Sequence, residues 1–209
     1  MIRLPSRLLV VTDRHQARRS LEAIVTETVT AGARWIWLRD RDLEHAARRR
    51  LAFRLTGIVR ERGGLLSIGG DIGLAEEVGS GGIHVRDIAS IAEARQALGP
   101  SVLVGLSAHS LADVEKAHAA GADYVTLSPI YPTASKPGYG PALGVSAVTA
   151  AARIGIPVVA LGGISTDNAA AMRAAGATAV AVMGSVMGAE RPADIVKAML
   201  STLEPADIP

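Results

Sequence analysis

Eight short aliphatic runs, the amphipathic stretches between them, and a recurring small-residue turn before several runs predict an α/β fold. They point to a single (β/α)8 TIM barrel spanning residues 1–209. The runs are Leu8 to Thr12, Trp35 to Leu38, Leu65 to Ile68, Gly82 to Val85, Val102 to Gly105, Tyr124 to Leu127, Val158 to Leu161 and Ala179 to Met183. Most are continuously apolar with little alternation, the pattern of strands buried on both faces of a parallel sheet. An open, doubly wound sheet is the alternative this pattern allows.

The intervening stretches carry helical periodicity. Leu51, Leu55 and Ile58 recur at i, i+4, i+7, and Ile91, Ala94 and Leu98 at i, i+3, i+7 before a Gly99-Pro100 stop. Leu111, Val114, Ala117 and Ala120 recur every three residues up to Gly121, and Ala171, Met172 and Ala175 precede Gly176. The turns Ala31-Gly32-Ala33, Gly79-Ser80-Gly81, Ala120-Gly121-Ala122 and Ala175-Gly176-Ala177 each place Gly near a helix C-terminus, where positive φ is common. Shared among eight units, 209 residues leave about 26 apiece, enough for a compact barrel and too few for a second domain.

Composition narrows the chemistry. Aromatic residues are 3% against 49% hydrophobic overall, so the core must be aliphatic. The absence of Cys removes disulfides, thiolate metal sites and a Cys nucleophile. A net charge of +2 with dispersed basic residues and few aromatics lacks a nucleic-acid footprint. No run sustains the apolar length of a membrane span, so a cytoplasmic protein is expected. Arg is strongly preferred over Lys: the only lysines are Lys116, Lys136 and Lys197, and Lys136 alone lies in a Pro/Gly-rich loop.

In a barrel, chemistry gathers after the strands. Gly162-Gly163 and Gly184-Ser185 follow runs seven and eight and read as a phosphate cradle, with backbone N–H groups able to approach an anion. The loop Pro132-Thr133-Ala134-Ser135-Lys136 after run six offers two hydroxyls and an ammonium, a set suited to a second phosphate or a diphosphate. Arg39 follows run two, either as an anion ligand or paired with Asp40, Asp42 or Asp71. Ser107 and His109 follow run five at the rim, while His84 within run four reads as a satisfied core histidine. Arg48-Arg49-Arg50 reads as a solvated helix face.

Several segments together resemble the thiamine phosphate synthase / TenI family over nearly the whole chain. They are Trp-Leu-Arg-Asp-Arg-Asp at 37–42, Gly-Ile-His-Val at 82–85, Gly-Leu-Ser-Ala-His-Ser at 105–110 and Ala-Asp-Tyr-Val at 122–125. The others are Ser-Pro-Ile-Tyr-Pro-Thr-Ala-Ser-Lys-Pro-Gly at 128–138, Leu-Gly-Gly-Ile at 161–164 with Asn168, and Ala-Val-Met-Gly at 181–184. The loop at 128–138 is the most specific of these.

The resemblance implies a (β/α)8 barrel that joins hydroxymethylpyrimidine diphosphate to a thiazole phosphate and releases diphosphate. It implies a dissociative path in which the pyrimidine methylene becomes a stabilised cation that the thiazole nitrogen captures. By position it assigns Arg39, Ser107 and Lys136 as catalytic. It gives Thr133 and Ser135 to substrate binding at the diphosphate or reacting centre, and Gly162, Gly163, Gly184 and Ser185 to the thiazole phosphate. Trp37, at the family's Gln position, and His109, from its place at the rim with a structural histidine as the alternative, complete the expected substrate-binding set. The expected partner is a small-molecule phosphate substrate, with neither nucleic acid nor membrane; a homodimer is one open option, since the sequence does not give the oligomeric state.

The chain also departs from the pattern. Trp37 stands where the synthase has a Gln that helps hold the pyrimidine. Gly69-Gly70-Asp71 replaces an Asn-Asp-Arg segment, and the shorter Arg86-Asp87 replaces Gly-Gln-x-Asp. The Asp residues of those two family segments carry Mg2+, so the resemblance points to Asp71 and Asp87 as a Mg2+ site if each loop slips, with pairing of Asp71 to Arg39 or Arg41 as the alternative. The tautomerase branch, TenI, has a catalytic His in the loop after run six, where this chain has Pro129. The alternatives to synthase chemistry are therefore a TenI-like thiazole tautomerase and a non-catalytic barrel that binds thiazole or thiamine phosphate.

Overall fold

A computed structural model describes residues 3–133 and 141–204. Eight parallel strands close into a barrel in chain order: β1 (Leu8–Val11), β2 (Trp35–Leu38), β3 (Leu65–Gly69), β4 (Gly82–Val85), β5 (Leu103–Ala108), β6 (Tyr124–Leu127), β7 (Val158–Leu161) and β8 (Ala179–Val182). Closure is made by β1 against β8, with Leu9 opposite Ala181 and Val10 opposite Val182. The doubly wound alternative is therefore excluded. The helices are α1 (Leu21–Thr30), α2 (His45–Glu61), α3 (Ile72–Glu77), α4 (Ala89–Leu98), α5 (Leu111–Ala119), α6 (Gly144–Ala152), α7 (Thr166–Ala174), α8 (Gly184–Met187) and α9 (Pro192–Leu203). Among the described residues, no helix is long and apolar enough to cross a membrane.

Strand pleating splits the apolar residues into two layers. Leu8 and Val10 face the helices, whereas Leu9 and Val11 belong to the smaller cluster inside the barrel, with Trp35, Trp37, Tyr124, Val159, Ala179 and Ala181. This is why the runs read as continuously apolar: both faces are covered. The interior is filled by a few large rings set against glycine. Trp35 meets Tyr124 edge-on at 4.8 Å between centroids, and its indole N–H donates to Ser67 Oγ at 3.1 Å. Gly82 and Gly105 leave the room these side chains occupy. A Cβ on Gly82 would sit 2.6 Å from Ser67 Oγ, and one on Gly105 would overlap the Tyr124 ring at 2.1 Å from Cζ.

The helices begin where short polar side chains cap them. Ser20 Oγ accepts from Ala23 N, Asp71 from Leu74 N and Ser110 from Asp113 N. Ser165 and Asn168 form a reciprocal capping box on α7. The end of α9 is pinned by Arg7 and Arg173, which both donate to Leu203 O.

Arg48-Arg49-Arg50 corrects the reading of a solvated face at one position. Arg48 turns inward and is buried. One guanidinium nitrogen donates to Gly69 O at 2.7 Å and another to Asp71 Oδ2 at 2.9 Å. Asp71 thus pairs with Arg48, not with Arg39 or Arg41.

Candidate functional site

Parallel closure sends all eight strand C-termini to one rim, and the loops there enclose a cavity of about 1000 Å3. β2 contributes Trp37 and, just beyond it, Arg39 and Arg41. Arg86 follows β4, and β5 supplies Ser107, with His109 beyond its end. Thr126, Ser128 and Thr133 come from β6 and its loop, Gly162 and Gly163 from the turn after β7, and Gly184 and Ser185 from the start of α8. Trp37, Arg39, Ser107, His109, Thr133, Gly162, Gly163, Gly184 and Ser185, singled out in the sequence, are therefore brought together around one cavity. Ser135 and Lys136 lie outside the described residues.

The glycine cradle is built by close backbone approach. Gly162 and Gly163 have φ of +95° and +67°, and a Cβ on either would meet the β6 loop, at 2.8 Å from Pro129 Cα or 2.6 Å from Tyr131 Cβ. Asn168 Nδ2 donates to Gly163 O at 2.9 Å, tying the turn to the capping box of α7. Two backbone bonds, Ile130 N to Leu161 O and Tyr131 N to Gly162 O, hold the β6 loop beside this turn.

The opposite wall is cationic. The backbone N–H of Arg39 is fixed by Thr12 Oγ1, whose own hydroxyl donates to buried Asp40 at 2.5 Å. The Arg39 guanidinium lies 3.5 Å from Asp13, which differs from all three acids expected from sequence. Arg41 is partly buried, and burial together with the neighbouring charges of Arg86, Arg48 and Arg39 holds its pKa down at about 10. It remains charged at neutral pH.

A buried polar chain orients Ser107. His84 is fully buried, with Nδ1 2.9 Å from the Tyr124 hydroxyl and Nε2 within hydrogen-bonding distance of Ser107 Oγ (3.0 Å) and Thr126 Oγ1 (3.2 Å). Burial, reinforced by the charge of Arg41, pushes its pKa from 6.5 down to about 3. Below pH 6.5 the unfolded chain accepts a proton at this imidazole that the folded chain refuses. Stability is therefore full above 6.5 and falls on acidification toward 3. We expect a loss of about 2 kcal/mol between pH 6.5 and pH 5, at about 1.4 kcal/mol per pH unit. Denaturant melts at both pH values should show that slope, and His84→Gln should flatten it. His109, nearer the rim, donates from Nδ1 to Ser128 O at 2.8 Å, which leaves Nε2 as the nitrogen on the other side of the ring.

The residues assigned to Mg2+ do not fit that role. Asp71 caps α3 through one oxygen and binds Arg48 through the other, beside a smaller cleft of about 390 Å3 that shares Arg41 with the large cavity. Asp87 accepts from the N–H and hydroxyl of Ser90, which lowers its pKa, and it does not line the large cavity. Among the described residues, no group of three or more His, Cys, Asp or Glu side chains converges as a metal cage. Arg41 and Arg86 were missed as cavity residues. Arg41 lies in the quoted 37–42 segment at the parity of Trp37 and Arg39, a signal that was available.

A profile of the family described as thiamine monophosphate synthase matches residues 8–186. A thiamine-phosphate synthase of Thioalkalivibrio sulfidiphilus is 36% identical over 185 residues, covering 88% of this chain and 86% of that one. One from Roseiflexus castenholzii is 35% identical over 193 residues, covering 91% and 85%. Among solved structures, a thiamine phosphate pyrophosphorylase from Pyrococcus furiosus superposes with a TM-score of 0.82 at 26% identity, covering 94% of each chain.

Proposed function

The chain belongs to the thiamine monophosphate synthase family, and we propose that it couples hydroxymethylpyrimidine diphosphate to thiazole phosphate, releasing diphosphate. The observation that carries this reading is the single cavity with two anion-suited walls, a glycine cradle on one side and an arginine cluster on the other. A coupling enzyme with two phosphorylated substrates needs both; a tautomerase acting on one phosphorylated ring needs only the cradle.

In this reading Gly162, Gly163, Gly184 and Ser185 hold the thiazole phosphate. Arg39 faces the diphosphate. As the methylene C–O bond breaks, its electron pair leaves on the diphosphate, and the fixed guanidinium stabilises that charge. The thiazole nitrogen then donates its lone pair to the methylene carbon. Ser107 is a hydrogen-bonding group aimed by His84, which stays neutral and takes no proton from the reaction. Trp37, His109 and Thr133 line the space between the two walls and set the relative position of the rings. By sequence, Ser135 and Lys136 add a hydroxyl and an ammonium to the groups that would bind the anion. The substrates and the coupling chemistry suit a cytoplasmic enzyme.

Purified protein supplied with both substrates should form thiamine phosphate and diphosphate in equal amounts, read by chromatography. Isomerisation of a carboxythiazole phosphate without coupling would replace this reading with the tautomerase. Ligand binding with neither product would replace it with a non-catalytic carrier. Lys136→Ala is expected to weaken diphosphate binding by about 1–3 kcal/mol, the scale of a lost charge-assisted hydrogen bond. Unchanged affinity in calorimetry would remove Lys136 from the clamp.

A further inference from the structure

We infer that Arg41 and Arg86, with Arg39, form a guanidinium clamp standing where the family's metal-binding carboxylates would project, so that this chain binds a diphosphate group without a divalent cation. The inference rests on the coupling reading for the identity of the anion, but the clamp itself is argued from the side chains.

Where the family pattern has Asn-Asp, this chain has Gly69-Gly70. A Cβ added to Gly70 would lie 3.0 Å from Arg41 Cζ and 3.1 Å from its Nη2, and one added to Gly69 would lie 2.9 Å from Trp37 Nε1. Arg41 and Trp37 already fill the volume into which an Asn-Asp pair would extend. Gly70 also has φ of +64°, a conformation that strains an Asp. The loss of the carboxylate and the inward turn of Arg41 are two sides of one arrangement.

Several arginines have an acid at hand: Arg14 with Asp42, Arg48 with Asp71, Arg49 with Glu77, Arg54 with Glu22, Arg95 with Asp123. No such pair is made by Arg41 or Arg86 among the described residues. The Arg41 Nε is buried with no hydrogen-bond partner, and its Nη2 makes only a long 3.4 Å contact to His84 O. Arg86, Arg48 and Arg39 act on it with charge of the same sign, although Asp71 and Glu93 line the small cleft that Arg41 also borders. Converging like charges with an unsatisfied buried donor raise the energy of the empty site. A multiply charged, multi-oxygen anion relieves both, and the planar guanidinium fork matches phosphate oxygens. A nearby Mg2+ would instead add positive charge to an already cationic wall.

Titration calorimetry with inorganic pyrophosphate tests this directly. In EDTA the wild-type protein is expected to bind. Arg86→Gln, an exposed position whose loss leaves the barrel core intact, is expected to weaken binding about tenfold or more and to flatten its salt dependence. Arg41→Gln should act alike, provided its melting temperature matches wild type. Binding that appears only with added Mg2+, or that Arg86→Gln leaves unchanged, overturns the clamp. The coupling assay run in parallel separates the two ideas. Thiamine phosphate formation abolished by EDTA keeps the coupling reading and rejects the clamp. Absence of product with EDTA-resistant, Arg86-dependent pyrophosphate binding rejects the coupling reading and keeps the clamp.

Discussion

Gly105→Ala is expected to cost this barrel about 3–5 kcal/mol, the sum of an overpacked core and a broken buried hydrogen bond. The added methyl carbon would fall 2.1 Å from Tyr124 Cζ, 2.4 Å from Cε1 and 2.5 Å from the hydroxyl oxygen. The ring cannot step aside. It is fully buried, Trp35 packs against it edge-on, and its hydroxyl is held by His84. Any shift large enough to admit the methyl breaks the bond to His84 and, through it, loosens Ser107. Since domains are stable by only about 5–15 kcal/mol, the variant should melt about 10 °C or more below wild type, followed by circular dichroism. Introducing the same alanine into a Tyr124→Leu background should cost much less than in wild type. A single variant melting within about two degrees of wild type would show that the barrel interior is looser than this packing implies.

Arg39→Ala is expected to lower kcat/KM for coupling by about 100- to 1000-fold while leaving the fold intact, the range found when one fixed charge-stabilising donor is removed from a reaction centre. Its side chain is 35% exposed and its ion pair with Asp13 is long, so little stability depends on it. What the substitution removes is a guanidinium positioned by the Thr12–Asp40 pair through the Arg39 backbone. Arg39→Lys should fall between the two, since a lysine supplies charge without the planar fork. Steady-state kinetics would decide, and retention of a third or more of the wild-type kcat/KM by Arg39→Ala would exclude the assigned role.

The strands were legible because barrel strands are covered on both faces, so β2, β4, β6 and β7 begin and end where their aliphatic runs do. β5 continues to Ala108, past the end expected at Gly105. Nothing local announces that Gly105, the end of the expected run, is kept small for Tyr124, a residue of the next strand. α3 shows no helical period because six residues are too few, and α1, α6 and α9 are not distinguished by period either. At the site, the loops were legible from topology alone: a closed parallel barrel puts every strand C-terminus at one rim, so polar residues after the runs had to meet. Side-chain direction was not. Arg41 and Arg48 look alike in sequence, yet Arg41 enters the cavity while Arg48 is drawn to Asp71 and Gly69 O by hydrogen bonds across to β3 and its loop. The same pairing took Asp71 away from its expected metal role. His84 is the satisfied core histidine expected, but its contact with Ser107 depends on the register of β4 against β5 and cannot be seen along the chain.

The placement of the two tryptophans gives the protein a built-in optical gauge. They are the only indoles in the chain, and both are inside the barrel. Trp35 is sealed, with its N–H committed to Ser67, so its emission provides a constant background. Trp37 lines the cavity with its N–H unpartnered among the described residues, and a ligand that brings an acceptor or displaces water there changes the polarity around that ring alone. Quenching or a spectral shift on titration can therefore be assigned to one residue at one wall of the cavity, without a label and without a mutation.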